Sequence, residues 1–188
     1  MRRKQIIDEA FRLFARHGYD SATMRQIGSA VGLDKSSLYV HFKNKNEIFE
    51  EIIKSELEQY EQNVLNRLHQ GSLKMLARNL FVETLAYFAD RDKLLFWKHI
   101  CLLSASGADA EVNRQAQAAL DRLHRLIRGK LDTEQKMIRE DKASKMMLYL
   151  YILTQGFLDW LMIREEVDTH TMKMAEELFD SVINNSGF

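Results

Sequence analysis

The chain has 188 residues, no proline, eight glycines and 46% hydrophobic residues, enough to bury a real core as one large domain or as a small domain fused to a larger one. Helix formers dominate and few stretches alternate as strands do, which excludes a β-rich protein and makes the expected fold class all-α. Formal charge is zero overall, yet residues 1–45 hold nine basic against four acidic residues, a net of +5 that the remainder cancels; a basic head on an acidic body suits an N-terminal module facing phosphate.

Ile6, Ile7, Ala10, Phe11 and Phe14 recur at three- and four-residue spacing, so residues 3–17 are predicted as an amphipathic helix that Gly18 terminates. Arg2, Arg3 and Lys4 at its start read as a frayed basic arm rather than a specific reader. Thr23 and Gln26 have the capping-box spacing for a second helix, with Ile27, Ala30 and Val31 as its short apolar face and Gly32 at its end. Asp34 is placed to cap a third helix through Leu38 to about His41. Asn44 and Glu47 open a long fourth helix with Ile48, Phe49, Ile52, Leu57, Tyr60 and Val64 inward.

Two short helices joined by a glycine-containing turn form the helix-turn-helix pattern. Its second helix enters the major groove by its N-terminal end, where short polar side chains reach base edges. Lys35, Ser36 and Ser37 stand at those positions.

Beyond Gly71, apolar stripes predict helices at Leu73–Phe88 and Leu94–Leu103, a loop over 104–109 with Asp109 as a cap, and a helix from Val112 that closes near Gly129. Two long helices follow over 142–164 and 170–184. Cys101 lies in the apolar run Ile100, Leu102, Leu103 and is expected to be buried; as the sole cysteine it forms no intramolecular disulfide. With no signal-peptide pattern at the start, a cytoplasmic location is expected. Met146–Ile163 is apolar nearly all round, but Thr154, Gln155, Gly156 and Asp159 interrupt it. That pattern predicts a helix buried on both sides in a dimer core rather than a membrane span. Paired with the last helix (Met172, Ala175, Leu178, Phe179, Val182), it would form half of an intersubunit four-helix bundle.

The segment Thr23–Phe49, with Leu38-Tyr-Val-His-Phe-Lys-Asn-Lys45 at its centre and Phe14-Ala-Arg-His-Gly-Tyr19 before it, closely resembles the DNA-binding domain of the TetR (tetracycline-repressor) family, over about residues 6–50. The resemblance implies a helix-turn-helix domain at 1–48, and a helical effector-binding and dimerisation domain at 49–188. It implies phosphate contacts for Tyr39, His41 and Lys45, with Lys43 beside them, and for Thr23 at the start of the second helix. Arg25 would reach a base or a phosphate, and Lys35, Ser36 and Ser37 would occupy the recognition positions. Leu38 and Phe42 would pack inward with Ile27, Val31, Phe11 and Phe14. Met24 and Gly28 depart from the family pattern, which favours a small β-branched residue and alanine there; a helix-interior glycine costs ~1 kcal/mol.

The same resemblance implies double-stranded DNA with a palindromic operator as partner, a homodimer through residues 142–184, and a small-molecule effector. An apolar or amphipathic effector would suit aromatic walls. Candidate wall residues are Tyr87, Phe96, Trp97, His99, Tyr149, Tyr151, Phe157 and Trp160; helical aromatic stripes are otherwise core. Asp159 beside Trp160 would hold a cationic ligand or face an arginine across the dimer. The function expected is a ligand-responsive transcriptional regulator, most simply a repressor released from its operator by the effector. The alternative is a DNA-bound adaptor or architectural protein of the same fold without a ligand. No cofactor, metal or membrane is expected: His17, His41, His69, His99, His124 and His170 show no metal spacing, and no glycine-rich phosphate loop or nucleophile elbow argues for an enzyme.

Overall fold

The computed structural model describes residues 2–68, 72–106, 110–134, 140–164 and 168–185, with backbone alone at 104–106, 130–134 and 140–144. Nine α-helices occur among them: α1 (Arg2–His17), α2 (Met24–Ala30), α3 (Lys35–His41), α4 (Lys45–Asn63), α5 (Leu73–Tyr87), α6 (Arg91–Ser106), α7 (Ala110–Glu134), α8 (Glu140–Met162) and α9 (Thr169–Asn185). A 3-10 turn at Leu65–Arg67 follows α4, and no strand occurs among the described residues. The expected Asp109 cap lies outside the described residues.

The chain divides into two compact units. The first comprises Met1–Gln59 with Arg91–Arg122. Ile6, Ala10 and Phe14 recur every four residues on one side of α1 and are all buried. Phe49 of α4 joins them; its ring centroid lies 5.9 Å from Phe14, 4.8 Å from Tyr19 and 6.1 Å from Phe96 of α6. Tilted and edge-on approaches of this kind are the favoured aromatic geometries. Helix α6 lies along α1: Phe96 packs 5.1 Å from Phe11, and the Arg16 guanidinium donates to both Asp92 carboxylate oxygens at 3.2 Å.

The second unit comprises Tyr60–Asp90 with Leu123–Phe188. Here α5 packs on α8 and α9, with Phe81 stacked 4.8 Å from Phe179 and 6.3 Å from Phe157. Arg78 of α5 donates to Asp180 at 3.0 Å and to Glu176 at 2.7 Å, tying α5 to α9. The buried Tyr60 hydroxyl pairs with Thr84 Oγ1 at 2.8 Å, and burial pushes the phenol up to about 12.

Several expectations change. The basic triplet at 2–4 is the first turn of α1, not a frayed arm. Helix α7 runs through Gly129 to Glu134 rather than closing there. Within α2, Gly28 is buried and Ala30 is exposed. Cys101 is only half-buried, because α6 turns Leu94, Trp97, Ile100 and Leu103 inward and rotates Cys101 and Leu102 off that face. Helix α8 is one-sided within a single chain: Met146, Leu150, Leu158 and Leu161 are buried, while Leu148, Tyr151 and Ile152 are 54–58% exposed. No helix among the described residues is long and apolar enough to cross a membrane.

Phe49 is 1% exposed and touches three other rings of its unit. Phe49→Ala is expected to destabilise that unit by about 3–5 kcal/mol. Urea denaturation should show a clear fall in midpoint; a variant as stable as the parent would mean that the rings are not the centre of this core.

Candidate nucleic-acid interface

Helices α2 and α3 have seven residues each, and both depend on their ends. Thr23, in extended backbone, accepts the Gln26 N–H at 3.2 Å, and Gln26 Oε1 accepts the Thr23 N–H at 2.8 Å, completing a capping box. The turn after α2 is a Schellman closure: Leu33 N–H donates to the Gly28 carbonyl at 2.8 Å and Gly32 N–H to Ser29 at 3.2 Å. It requires φ +67° at Gly32, where a side chain would be strained. A Cβ on Gly28 would stand 3.0 Å from the Leu33 carbonyl, so glycine there lets the turn pass close against α2.

Asp34 caps α3, accepting the Ser37 N–H at 2.7 Å and the Ser36 hydroxyl at 3.0 Å. The Ser37 bond chiefly holds the Asp34 carboxyl below its ordinary range. With its proton given to Asp34, the Ser36 hydroxyl oxygen retains its capacity to accept. Leu38 and Phe42 are each 1% exposed and anchor α3 from behind.

Two cations brace the module. Arg3 of α1 donates to the His41 carbonyl at the end of α3 and to Glu51, reaches Glu47 at 3.4 Å, and lies 4.0 Å over the Phe42 ring. Lys45 Nζ donates to the carbonyls of Tyr19 at 2.7 Å and Ala22 at 2.9 Å, and sits 4.0 Å over the Tyr19 ring. Glu47 accepts the Lys43 N–H at 2.7 Å, while Asn44 accepts the Glu47 N–H at 2.8 Å. The Lys43 bond is the main reason the Glu47 carboxyl lies below its usual range.

The outer face is bare. Lys35, Ser36, Tyr39, Val40 and Lys43 are exposed, as are Thr23 and Arg25, with Ser37 and His41 half-buried. Lys35 Nζ stands 5.9 Å from the Tyr39 ring centroid. Lys45 differs from this set, since its ammonium is engaged within the protein. Sequence reasoning missed Arg3, whose partners lie 38–48 residues away, and Val40, an apolar residue 82% exposed.

The eight aromatic and histidine candidates fall in different units. Phe96, Trp97 and His99 belong to the first. There Phe96 packs on Phe11 and Phe49, and His99 Nδ1 lies 3.1 Å from the Phe14 carbonyl. Trp97 is 5% exposed, and its buried Nε1 has no hydrogen-bond partner among the described residues. Tyr87, Tyr149, Tyr151, Phe157 and Trp160 belong to the second unit. Tyr87 is buried and Tyr151 is 54% exposed, while the guanidinium of Arg164 covers the Trp160 ring at 4.4 Å.

Because Lys45 holds two carbonyls, Lys45→Met is expected to cost about 1–2 kcal/mol of stability. Lys43→Ala, at an exposed side chain, should stay within about 0.5 kcal/mol. Thermal melts of the two variants compare them directly; equal midpoints would remove the bracing role of Lys45.

Residues 6–52 match the family described as bacterial regulatory proteins, tetR family. The chain is 44% identical over 48 residues to the HTH-type transcriptional repressor Rv1474c of Mycobacterium tuberculosis, a match spanning 26% of each protein, about a quarter of that relative's length. It is 29% identical over 148 residues, 78% of each chain, to the biofilm operon icaADBC HTH-type negative transcriptional regulator IcaR of Staphylococcus epidermidis. Among solved structures it is similar to the TetR family transcriptional regulator PfmR from Thermus thermophilus, with a TM-score of 0.67 and 26% identity over 96% of this chain and 94% of that one. The capped helix pair lies within the residues that match, so residues 6–52 carry the helix-turn-helix module of the tetR family of bacterial regulatory proteins.

Proposed function

We propose that this chain is a repressor that binds a palindromic operator as a homodimer and is released by a small apolar or amphipathic effector. The observation that carries the DNA reading is the outer face of α3, where Lys35, Ser36, Tyr39 and neighbouring Lys43 are exposed while the anchors Leu38 and Phe42 lie behind them. Such a helix can enter the major groove without giving up a structural bond. In this reading Lys35, Ser36 and Ser37 meet base edges. Tyr39, His41, Lys43 and the start of α2 (Thr23, Arg25) meet phosphate. Lys45 serves chiefly by holding the Tyr19–Ala22 turn beneath that surface. Similarity to two relatives named as a repressor and a negative regulator supports repression.

The dimer reading rests on the second unit, for which residues 142–184 supply the surface. Leu148, Tyr151 and Ile152 of α8, and Met174 and Leu178 of α9, recur at helical spacing and are 47–58% exposed. An apolar stripe of this kind suits a second copy better than water. The effector reading draws on Trp97, whose buried indole N–H has no acceptor among the described residues; a buried donor left so costs about 1–3 kcal/mol, which a carbonyl or carboxylate on a ligand would recover.

Selection from random duplex DNA at physiological salt tests the DNA reading. The parent protein should enrich one palindrome, and a Tyr39→Ala, Lys43→Ala double variant should lose affinity for it with a shallower salt dependence. Absence of any enriched sequence would overturn the reading. For the dimer, Ile152→Glu with Leu178→Glu should sediment as a monomer and bind the palindrome at least about tenfold more weakly; an unchanged dimer would move the interface elsewhere.

A further inference from the structure

On the outer face of α3 one residue does not fit a purely polar reader. Val40 is 82% exposed, the most exposed of the large apolar side chains described. Its neighbours divide cleanly: Leu38 and Phe42 are buried as anchors, and Tyr39 and His41 flank it with polar groups. Valine at that position does nothing visible for the free protein. It buries almost no surface, and a β-branched residue inside a helix is a poorer helix former than alanine. A wet, rigid apolar group on a surface otherwise made of Lys35, Ser36, Tyr39 and Lys43 is open to an apolar partner that lies among charged and polar groups.

The major groove offers such a partner. Its floor presents donors and acceptors at every base pair and one apolar group, the C5 methyl of thymine. Val40 stands one helical turn beyond Ser36 and so shares its side of α3. A side chain fixed at χ1 meets a methyl group with little conformational entropy to lose. We propose that Val40 is a specificity-determining residue of the operator contact, packing on the methyl of one thymine in each half-site. The inference rests on the reading of α3 as the major-groove helix and adds a base-specific element to it.

Two apolar sources exist on duplex DNA, the thymine methyl and the deoxyribose rings, and one substitution separates them. Deoxyuridine lacks the methyl and keeps every hydrogen-bonding group and the sugar. The test uses the full-length protein and the palindrome from the random-DNA selection, with each thymine of the half-site replaced in turn by deoxyuridine. At one position the parent protein should lose about fourfold in Kd per half-site, or about fifteenfold when both half-sites are changed. Val40→Ala should lose a similar factor on the thymine operator and no longer distinguish it from the deoxyuridine operator at that position. Circular dichroism melts of Val40→Ala should show a fold at least as stable as the parent, which separates lost contact from lost structure.

Three outcomes overturn the proposal. Deoxyuridine could be without effect at every position, or Val40→Ala could bind the thymine operator as tightly as the parent. The third is Val40→Ala weakening binding while keeping the full methyl dependence, which would assign Val40 to the sugar instead. Failure of the underlying reading is seen earlier and separately, because no palindrome would then emerge on which to make the substitutions.

Discussion

A helix of seven residues is too short to hold by its own hydrogen bonds, since nucleation costs more than two turns return. Helices α2 and α3 are both of that length, and the site depends on how that deficit is met. Thr23 and Asp34 satisfy the N-terminal donors, the Gly32 turn closes the C-terminus of α2, and Ile27, Leu38 and Phe42 bury the inner side. Arg3 holds the last carbonyl of α3, and Lys45 holds the turn before α2. All of these supports act on one side and at the ends. The outer side of α3 carries little structural duty beyond the Ser36 hydroxyl's bond to the Asp34 cap, which leaves its chemistry available.

The helix pair is not a free-standing module. Its compact unit includes α6 and the front of α7, contributed from the middle of the chain. Phe96 enters the ring cluster of Phe11 and Phe49, Asp92 receives Arg16, and His99 meets a carbonyl near the end of α1. Close-packed interiors transmit a change of one side chain to its neighbours. The residues that position α1 therefore include several from α6, next to Trp97, whose buried N–H has no partner among the described residues.

The second unit is built on different terms. Stacked Phe81 and Phe179 and the paired carboxylates around Arg78 join α5 to α9, and these bonds lie on the inner and flanking faces. What is left outward on α8 and α9 includes Leu148, Tyr151, Ile152, Met174 and Leu178, beside charged residues such as Lys145, Asp159, Lys173 and Glu177. A single chain cannot bury a helix that is apolar all round unless another element covers its far side.

What the sequence by itself determined was local. Helix periodicity located every long helix, and Thr23, Gln26, Gly32 and Asp34 announced both short ones, because caps and glycine turns act over three to five residues. The specific run from Leu38 to Lys45 identified the module. Other features were decided only by tertiary structure, because their partners are distant in the chain. Arg3 looked like a loose basic arm until Glu47, Glu51 and Phe42 were brought beside it. Lys45 looked like a surface cation until two carbonyls folded over it. Ala30, expected on the apolar face of α2, is exposed, while the turn at Leu33 presses close against Gly28. The exposure of Val40 could not be read from its apolar character, since burial is a property of what packs against a residue and not of the residue alone.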